Sequence, residues 1–499
     1  MSVSVPPTYP PGCKVVFCGE APGREEELAG EGFVGQAGKL LQKVIHASGL
    51  TWDEIGRTNV SKRAPDGGYD SEHFHSTFYE THKEGKKKVI GPGSELVLAR
   101  EVLLQELREC KPDVVVACGA EALSALTTTG GITKQRGSIF RSPVAPVWVV
   151  PIIHPSAILR SAQWQELYIS SQIIARKVMP ILRGEWSGYL PWEQQLAPTI
   201  GDFNEWIRSV DGPFALDIET RAGSIACVGL CDRFDRAICV PIQTTRGPYF
   251  VDCADECEFW RGLKWLCEKW PVIAQNAFFD FDWLRDYGIV ANEVYDTMLL
   301  FHRLYPELPK GLDFVSMWYT DIPYYKDDGS TWGFRKPDEQ LWEYNVKDCV
   351  ATQRAFRAMT QGGLPTLYEK HTRHLLPPAF EMQCRGMDAD PVGVTFARAV
   401  LVTELDKIRS KLSDLSSGSL VVRERNKKIT DKQVADYLYG ELKLPAKRNR
   451  KTKSLTADED ALTELLIQFP KLEVLQAINA ERKFGKALNS YIDIKWGDK

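Results

Sequence analysis

The run Ala215-Leu-Asp-Ile-Glu-Thr220 constrains the chain more than any other stretch, because it combines a β-strand pattern with two acidic residues one position apart. Side chains alternate faces along a strand, so Asp217 and Glu219 point to one face and their apolar neighbours to the other. Two adjacent carboxylates repel each other unless a cation lies between them, so the pair is typical of half a metal site. An acidic, solvent-exposed strand face is the alternative interpretation.

Composition sets the broad class of protein. The chain has 499 residues, enough for about three domains, and its formal net charge is -4, so any nucleic-acid surface must be local. No apolar run approaches the ~20 residues of a membrane span, and the first residues lack the pattern of a signal peptide. Twelve cysteines in so long a chain do not indicate a disulfide scaffold. We expect a cytoplasmic protein without a membrane segment.

Residues 1–185 alternate between strand and helix patterns. The predicted elements are strand-to-turn runs at 15–23 and 112–119, helices at 37–45 and 120–126, and a third strand at 147–153. This alternation predicts an α/β layer with a mostly parallel sheet, whose functional site lies at the carboxyl ends of the strands. Glu20 and His154 each fall just past such an end.

Five motifs in this region carry a resemblance: GEAPG (19–23), GFVGQAG (32–38), TNV (58–60), PDVVVACG (112–119) and HPS (154–156). Together they resemble the uracil-DNA glycosylase superfamily, in its family-4 type, whose relatives also occur fused to phage DNA polymerases. The resemblance implies an α/β/α domain in which Glu20 helps place or activate the attacking water, Phe33 stacks on the flipped base, Asn59 reads the uracil edge, and His154 stabilises charge developing on the uracil.

Those roles fit the chemistry. Cleaving an N-glycosidic bond in a duplex requires extrusion of the nucleotide into a pocket, and the developing sugar cation and base anion need a carboxylate and a hydrogen-bond donor. The sequence also departs from the family. Gly32 replaces the usual proline before Phe33, an early cysteine pair is missing, and Ala99 stands where a third cysteine is expected. We therefore expect no iron–sulfur cluster, and either an active glycosylase or an inactive uracil reader.

Residues 186–200 are interrupted by Pro and Gly without clear periodicity, which predicts a linker. A helix over 200–210 with its N-cap at Asp202 should follow, and strands at 225–230 and 237–241 should join the acidic strand in one sheet. Two spaced cysteine pairs, at 227/231 and 253/257, have no nearby histidine to complete a metal site.

Two more elements supply acidic residues to the region 201–370. A strand beginning at Val272 runs toward Asp280, and a later helical pattern places Tyr344 and Asp348 four residues apart on one face. This ordered set resembles the tyrosine-bearing branch of the DEDD 3'-5' exonucleases found in family A DNA polymerases. The runs 296–300 and 310–313 support that resemblance.

The resemblance implies an RNase H-like domain acting on the 3' end of single-stranded DNA. It assigns two divalent cations to Asp217, Glu219, Asp280 and Asp348, and Tyr344 to orienting the attacking water. Oxygen ligands favour Mg²⁺ or Mn²⁺, and two ions ~3.5–4 Å apart activate the water and stabilise the leaving 3' oxygen. For Tyr344, packing against the core is the alternative.

Residues 371–499 read as mainly helical. Helices are expected at 396–415, 431–442, 458–468 and 471–488, with basic clusters at 423–428 and 447–453. A solvated surface is the ordinary explanation of such loops; phosphate contact is the other. The candidate DNA-binding residues are Lys447, Arg448, Arg450, Lys451 and Lys453. The order of these elements resembles the thumb of family A polymerases.

The sequence as a whole predicts a phage-type DNA replication or repair protein, located in the cytoplasm of a bacterial host. It would combine a two-metal exonuclease with a uracil-recognising or uracil-excising domain, on DNA that includes uracil-containing DNA. No palm follows the thumb-like segment, so we expect no DNA synthesis by this chain alone, and either a fragment or one half of a split polymerase with a separate palm and fingers chain. The alternatives are a non-catalytic DNA-binding subunit and a protein that is primarily a uracil-DNA glycosylase.

Overall fold

The computed structural model describes residues 3–64, 75–82, 85–92, 94–329, 337–422, 429–448 and 454–493. The chain divides into two compact units, Met1–Cys384 and Arg385–Lys499. No helix in the described ranges is long and apolar enough to cross a membrane. The fold is multidomain α/β with a helical C-terminal part, as the sequence predicted, and the boundaries at 185, 200 and 370 stay predictions.

The first part of unit one is an α/β layer. Its strands are β1 (Val15–Gly19), β2 (Gly56–Asn59), β3 (His75–His82), β4 (Gly85–Pro92), β5 (Val114–Cys118), β6 (Phe140–Arg141) and β7 (Trp148–Ile152). Its helices are α1 (Arg24–Ala29), α2 (Gln36–Ser48), α3 (Ser94–Cys110), α4 (Ala120–Leu126), α5 (Ile132–Gln135), α6 (Pro155–Ser161), α7 (Gln165–Ile173) and α8 (Met179–Leu182), with a π-helical turn at Ile174–Val178.

Five of these strands form one sheet in the order β2-β1-β5-β7-β6. All neighbouring pairs are parallel except β6 with β7, while β3 and β4 form a separate antiparallel hairpin. The central strands β1 and β5 are buried along their length because helices cover both faces, as expected for β-branched, uninterrupted apolar strands. The carboxyl ends of β1, β5 and β7 therefore meet at one edge.

The second part of unit one contains a six-stranded sheet. The strands of this part are β8 (Glu193–Leu196), β9 (Phe214–Arg221), β10 (Ser224–Cys231), β11 (Arg236–Pro241), β12 (Gln243–Thr244), β13 (Gly247–Pro248), β14 (Val272–Ala274) and β15 (Val294–Asp296). β12 and β13 pair with each other, and the other six form the sheet. The helices are α9 (Ile200–Ser209), α10 (Cys253–Lys269), α11 (Ala277–Leu284), α12 (Thr297–Leu304), α13 (Leu312–Tyr319), α14 (Asp338–Thr360) and α15 (Arg373–Arg385), with 3₁₀ turns at Arg285–Tyr287 and Lys326–Gly329 and a π-helical turn at Tyr368–Thr372.

The order β15-β14-β9-β10-β11-β8 places β9 near the middle of this sheet. β9 and β11 both pair with β10 and run antiparallel to it, so the predicted strands do share one sheet. Two expectations differ from the structure. Residues 193–196, inside the predicted linker, pair with β11 as an edge strand. The N-cap of α9 is Thr199 rather than Asp202, because the Thr199 hydroxyl accepts from the Asp202 N–H at 3.2 Å and the Asp202 carboxylate accepts from the Thr199 N–H at 3.0 Å.

The two parts of unit one share a hydrophobic core. Ile173, the last residue of α7, and Val178, in the π-helical turn that follows, belong to the same buried cluster as Phe301 of α12 and Trp318 of α13. Polar contacts continue the interface: Lys134 pairs with Asp327 at 2.6 Å, and the Tyr324 N–H donates to the Ser138 hydroxyl at 3.2 Å. The segment that follows α13 is therefore held in place by the α/β layer of the first part.

Unit two has its own helical core. Its helices are α16 (Pro391–Leu415), α17 (Asp431–Ala435), α18 (Glu459–Gln468) and α19 (Glu473–Ala487), with π-helical segments at Asp436–Glu441 and Leu488–Ile492. α16 packs along α19, and Leu412, Leu438 and Leu475 are buried together in the core. The four predicted helices are present, with bounds shifted by a few residues and two of them ending in wider turns.

Gly229 of β10 allows α14 to lie close to the sheet. A Cβ at this position would lie 2.2 Å from Asn345 Oδ1 and 2.8 Å from Cys349 Sγ, whereas a Cβ at Gly212 would meet nothing within 4 Å. We expect Gly229→Ala to lower the free energy of unfolding by about 2 kcal/mol, since overpacking forces α14 outward. Urea titration checks this, with Gly212→Ala as the matched control; equal unfolding midpoints for the two variants would contradict the close packing.

Candidate functional site

Strand β9 and helix α14 bring three predicted acidic residues together. Asp217 and Glu219 lie on one face of β9, and Asp348 projects from the buried side of α14. Ligand oxygens of the three lie within 4.8 Å of one another. The period of two along the strand and the position of Asp348 on α14 produce this cluster, which the sequence anticipated.

The cluster is electrostatically unfavourable without added positive charge. Burial, followed by the charge of Asp348, raises the pKa of Asp217 to about 8, and burial followed by Asp217 raises the pKa of Glu219 to about 9. Burial also raises the pKa of Asp348. Because each group disfavours the ionisation of its neighbours, a cation at the centre would be strongly stabilised.

Asp280 lies beside the cluster, but its carboxylate accepts a hydrogen bond from the backbone of β9. It is on α11, which begins at Ala277 after Asn276 adopts a φ of 63°, so the strand ends earlier than the sequence suggested. Its Oδ1 accepts from the Ile218 N–H at 3.0 Å, where β9 is no longer paired with β14. Burial and then Asp217 raise its pKa well above the usual range. The structure therefore couples Asp280 to Asp217 without placing it among the three closest carboxylates.

Three further residues at this site were missed by the sequence analysis. Asn345 Nδ2 donates to Asp217 Oδ2 at 2.8 Å, and Tyr325 Oη donates to Asp348 Oδ1 at 2.5 Å. Lys326 Nζ lies 2.5 Å from Asp348 Oδ2. Asn345 could have been found from its place three residues before Asp348 on α14. Nothing local to the sequence indicates the other two, since Tyr325 directly precedes and Lys326 begins a 3₁₀ turn that is separate in sequence from the acidic motifs.

Tyr344 lies beside this ammonium group and also packs, partly buried, against the hydrophobic cluster that contains Leu341 and Trp342. Its hydroxyl accepts from Lys326 Nζ at 3.0 Å, and its ring meets that of Tyr325 edge-on, with centroids 5.8 Å apart. Burial lowers the pKa of Lys326, but Asp348 and then Tyr344 outweigh it, so the net shift is upward. The lysine thus remains charged and supplies a positive group to a site with four carboxylates.

The donor set fits divalent cations. Carboxylate oxygens with no thiolate or imidazole among them suit Mg²⁺ or Mn²⁺ better than zinc. The raised pKa values of Asp217 and Glu219 show that one ammonium does not neutralise the cluster. The residues present are therefore consistent with the divalent cations expected of an exonuclease domain.

A second constellation lies at the carboxyl edge of the first sheet. The register pairs Gly19 with Asn59, and a Cβ at Gly19 would lie 2.4 Å from Asn59 Oδ1 and 3.0 Å from the Phe33 ring. Phe33 has a φ of 62° and is 7% exposed. The absence of a side chain at Gly19 thus lets an amide and an aromatic ring approach each other, and both predicted base-binding residues are in contact with the same glycine.

His154 and Glu20 lie at that same edge. Glu20 directly follows β1, and His154 follows β7 as the N-cap of α6, beside Gly119 at the end of β5. The Ser156 N–H donates to His154 Nδ1 at 3.1 Å, so in the neutral imidazole the proton is on Nε2. Desolvation lowers the pKa of His154 to about 4. The residue is therefore a neutral hydrogen-bond donor at physiological pH.

The predicted DNA-binding residues of unit two are only partly described. Lys447 pairs with Glu464, and the backbone of Arg448 bridges to Leu455. Arg450, Lys451 and Lys453 lie outside the described residues, as does the first basic cluster. The structure leaves the role of this loop as a prediction.

Comparison with known proteins assigns the two parts of unit one. Residues 6–170 match the family described as "Uracil DNA glycosylase superfamily", and residues 197–362 match the family described as "3'-5' exonuclease". The type-4 uracil-DNA glycosylase of Archaeoglobus fulgidus is 32% identical over 176 residues, which cover 32% of this chain and 77% of that protein.

More distant similarities involve DNA polymerases. DNA polymerase I of Rhizobium leguminosarum is 27% identical over 217 residues, covering 41% of this chain and 21% of the polymerase. A solved structure described as the POL domain of Pol1 from M. smegmatis in complex with DNA primer-template and dNTP has a TM-score of 0.40 and 17% identity, over 59% of this chain and 49% of that one. A TM-score at that level supports no inference about this chain.

The glycosylase match covers more than two thirds of its relative, and the exonuclease match covers the acidic cluster described above. The chain therefore belongs to the uracil DNA glycosylase superfamily through its type-4 domain at residues 6–170, and it carries a 3'-5' exonuclease domain at residues 197–362.

Proposed function

We propose that this chain is a DNA replication or repair enzyme that removes nucleotides from the 3' end of single-stranded DNA with two divalent cations. The observation that carries the proposal is the carboxylate cluster of Asp217, Glu219 and Asp348, whose ligand oxygens lie within 4.8 Å of one another. Asp280, coupled electrostatically to Asp217, is the fourth proposed ligand. The ions would be Mg²⁺ or Mn²⁺.

The surrounding residues have definable tasks. When bound, two divalent ions supply an activated water and charge stabilisation for the leaving oxygen. Asn345 holds the carboxylate of Asp217 by its 2.8 Å hydrogen bond and thereby fixes that ligand in one rotamer. We propose that the Tyr344 hydroxyl, which accepts from Lys326 Nζ at 3.0 Å, orients the attacking water by a hydrogen bond.

We expect Asp217→Asn and Asp348→Asn each to slow Mg²⁺-dependent shortening of a 5'-labelled, uracil-free oligonucleotide roughly 100-fold or more, because each removes a charged ligand while keeping its shape. Gel analysis of the products measures the rate. Asp286→Asn, which changes an exposed carboxylate of the same domain, is the control and should digest normally. Normal digestion by the two site variants would refute the assignment.

Lys326 is expected to compete with a divalent ion for Asp348. In metal-free buffer Lys326→Met leaves a buried carboxylate without its ammonium partner, so we expect the free energy of unfolding to fall by about 3 kcal/mol. Mn²⁺ should then bind more tightly to the variant than to the parent, as measured by calorimetry and by the shift in melting temperature.

The control for that experiment is Lys264→Met, whose ammonium is exposed and lies 4.0 Å from Glu268. It should change neither apo stability nor Mn²⁺ affinity. If Lys326→Met binds Mn²⁺ no more tightly than this control, the ammonium and the ion do not share a site.

Uracil excision is the second candidate function. It is favoured by the membership of residues 6–170 in the glycosylase superfamily and by the contact of Phe33 and Asn59 with Gly19. Under this proposal Phe33 stacks on the extruded base, Asn59 reads its edge, and Glu20 places or activates the water. The neutral His154 donates from Nε2 to the uracil as negative charge develops. The competing proposal is an inactive uracil reader with the same pocket.

The glycosylase prediction is tested in EDTA, which removes the divalent cations and so prevents metal-dependent digestion. We expect abasic sites to form in a uracil-containing oligonucleotide and to be lost with Glu20→Gln or His154→Gln. Because the pKa of His154 is about 4, its ionisation should cause no fall in rate as the pH drops through 6.5. A complete lack of abasic sites, together with tighter binding of uracil than of thymine oligonucleotides, would favour the reader.

The same histidine predicts a pH dependence of stability. Its folded pKa of about 4 lies below the unfolded value of about 6.5, so the unfolded state binds more protons between those values. Stability is fully present above pH 6.5 and falls by up to about 3 kcal/mol as the pH drops to 4. Comparison of urea unfolding for the parent and His154→Gln isolates this contribution; identical pH profiles would exclude it.

A polymerase connection is a further proposal for the whole chain. The 27% identity to a DNA polymerase I supports it, over a region that spans 21% of that enzyme. In this proposal unit two holds DNA through Lys447, Arg448, Arg450, Lys451 and Lys453, and a palm and fingers chain, of phage origin like this one, completes the polymerase. A non-catalytic DNA-binding subunit remains the alternative.

A further inference from the structure

A cavity of about 650 Å³ opens at the amino-terminal edge of the first sheet. It begins where the strands begin: Lys14 and Asp113 precede β1 and β5, and Trp148 is the first residue of β7. The proposed glycosylase residues follow the carboxyl ends of the same strands. Five residues at ~3.3 Å each place the two sites about 16 Å apart along the sheet, so the cavity is a separate feature.

Five cationic side chains line this basic cavity. Arg108 and Lys111 come from the carboxyl end of α3, and Lys14, Arg141 and Arg183 come from three other parts of the fold. Against them the lining includes one acidic residue, Asp113. None of the five forms an ion pair with a residue in the part of the chain that the structure describes, and all are exposed. The local charge is thus strongly positive in a chain whose net charge is -4.

Other roles account for only part of this charge. Arg108 and Lys111 lie at the carboxyl end of α3, where cations stabilise the exposed carbonyl groups of a helix. Some cationic side chains elsewhere in the same domain are paired with carboxylates, such as Lys62 with Glu106 at 2.8 Å and Arg136 with Glu166 at 2.5 Å. The convergence of cations from three other elements on one concave surface has no such structural explanation.

Two tryptophans lie among the cations. The Arg141 guanidinium lies 4.9 Å from the centre of the Trp148 ring, and Trp186 meets that ring edge-on at 4.4 Å. Both rings are partly exposed. Trp186 and Arg183 belong to the segment that leaves α8, so this segment forms one wall of the cavity. Partly exposed aromatic rings within a positive groove are the combination that binds single-stranded nucleic acid.

We propose that this basic cavity binds the phosphate backbone of a single DNA strand, with bases contacting the tryptophan rings. The cations are exposed and spread around a rim, which suits a polymer better than a mononucleotide held by buried donors. A duplex fits less well, because its bases are covered by their stacked neighbours. The site would hold the same polymer that the exonuclease domain shortens, while its binding requires neither metal nor uracil.

The test uses the full chain and a fluorescein-labelled oligo(dT) of about 20 nucleotides in EDTA, so that neither proposed reaction contributes. The variant Lys14→Gln/Arg108→Gln/Lys111→Gln neutralises three exposed cations of the cavity. We expect its dissociation constant to rise roughly tenfold at low salt, and the slope of log K against log [salt] to fall by about 2. Fluorescence anisotropy measures both quantities.

The matched control, Arg208→Gln/Arg261→Gln/Lys264→Gln, removes the same charge from exposed positions on α9 and α10. It should bind as the parent does. Photo-crosslinking with a bromodeoxyuridine oligonucleotide should label peptides containing Trp148 or Trp186. Equal losses in the two triple variants, crosslinks confined to other regions, or equal displacement of DNA by polyglutamate would overturn the proposal, the last by indicating an acidic protein partner.

Discussion

Repulsion between buried carboxylates organises the exonuclease half of this protein. The alternation of side chains along β9 places Asp217 and Glu219 on the same face of the sheet, and α14, which packs on that face, contributes Asp348. Polar partners stabilise this cluster: an amide donates to Asp217, and a hydroxyl and an ammonium contact Asp348. The close approach of α14 at Gly229 and the placement of the turn after α13 both serve that arrangement.

The sequence predicted those parts of this site that depend on local periodicity. A period of two fixed the faces of β9, and a spacing of four put Tyr344 near Asp348. It could not predict Lys326 or Tyr325, because their place depends on how a distant 3₁₀ turn packs between two domains. Asp280 was expected near the end of a strand and lies on a helix instead, since the backbone at Asn276 turns early.

In the glycosylase domain too, the sequence predicted the features that follow from local pattern and missed those that depend on tertiary packing. The rule that sites form at the carboxyl ends of parallel strands located Glu20 and His154 correctly at one edge. The left-handed backbone at Phe33 and its contact with Gly19 are tertiary consequences of register, and no pattern in the sequence reports them. The edge strand at 193–196 was likewise hidden, because a single exposed strand has little periodicity to detect.

The shared hydrophobic core has a consequence for how such a fusion can change over time. Ile173 and Val178 lie in the same buried cluster as Phe301 and Trp318, so each domain would expose apolar surface at that boundary without the other. Recombination that replaced one domain with an unrelated one would leave apolar surface exposed to water on the domain that remained and on the one that was introduced. A substitution at this boundary in either domain therefore has to fit the shape of the neighbouring domain.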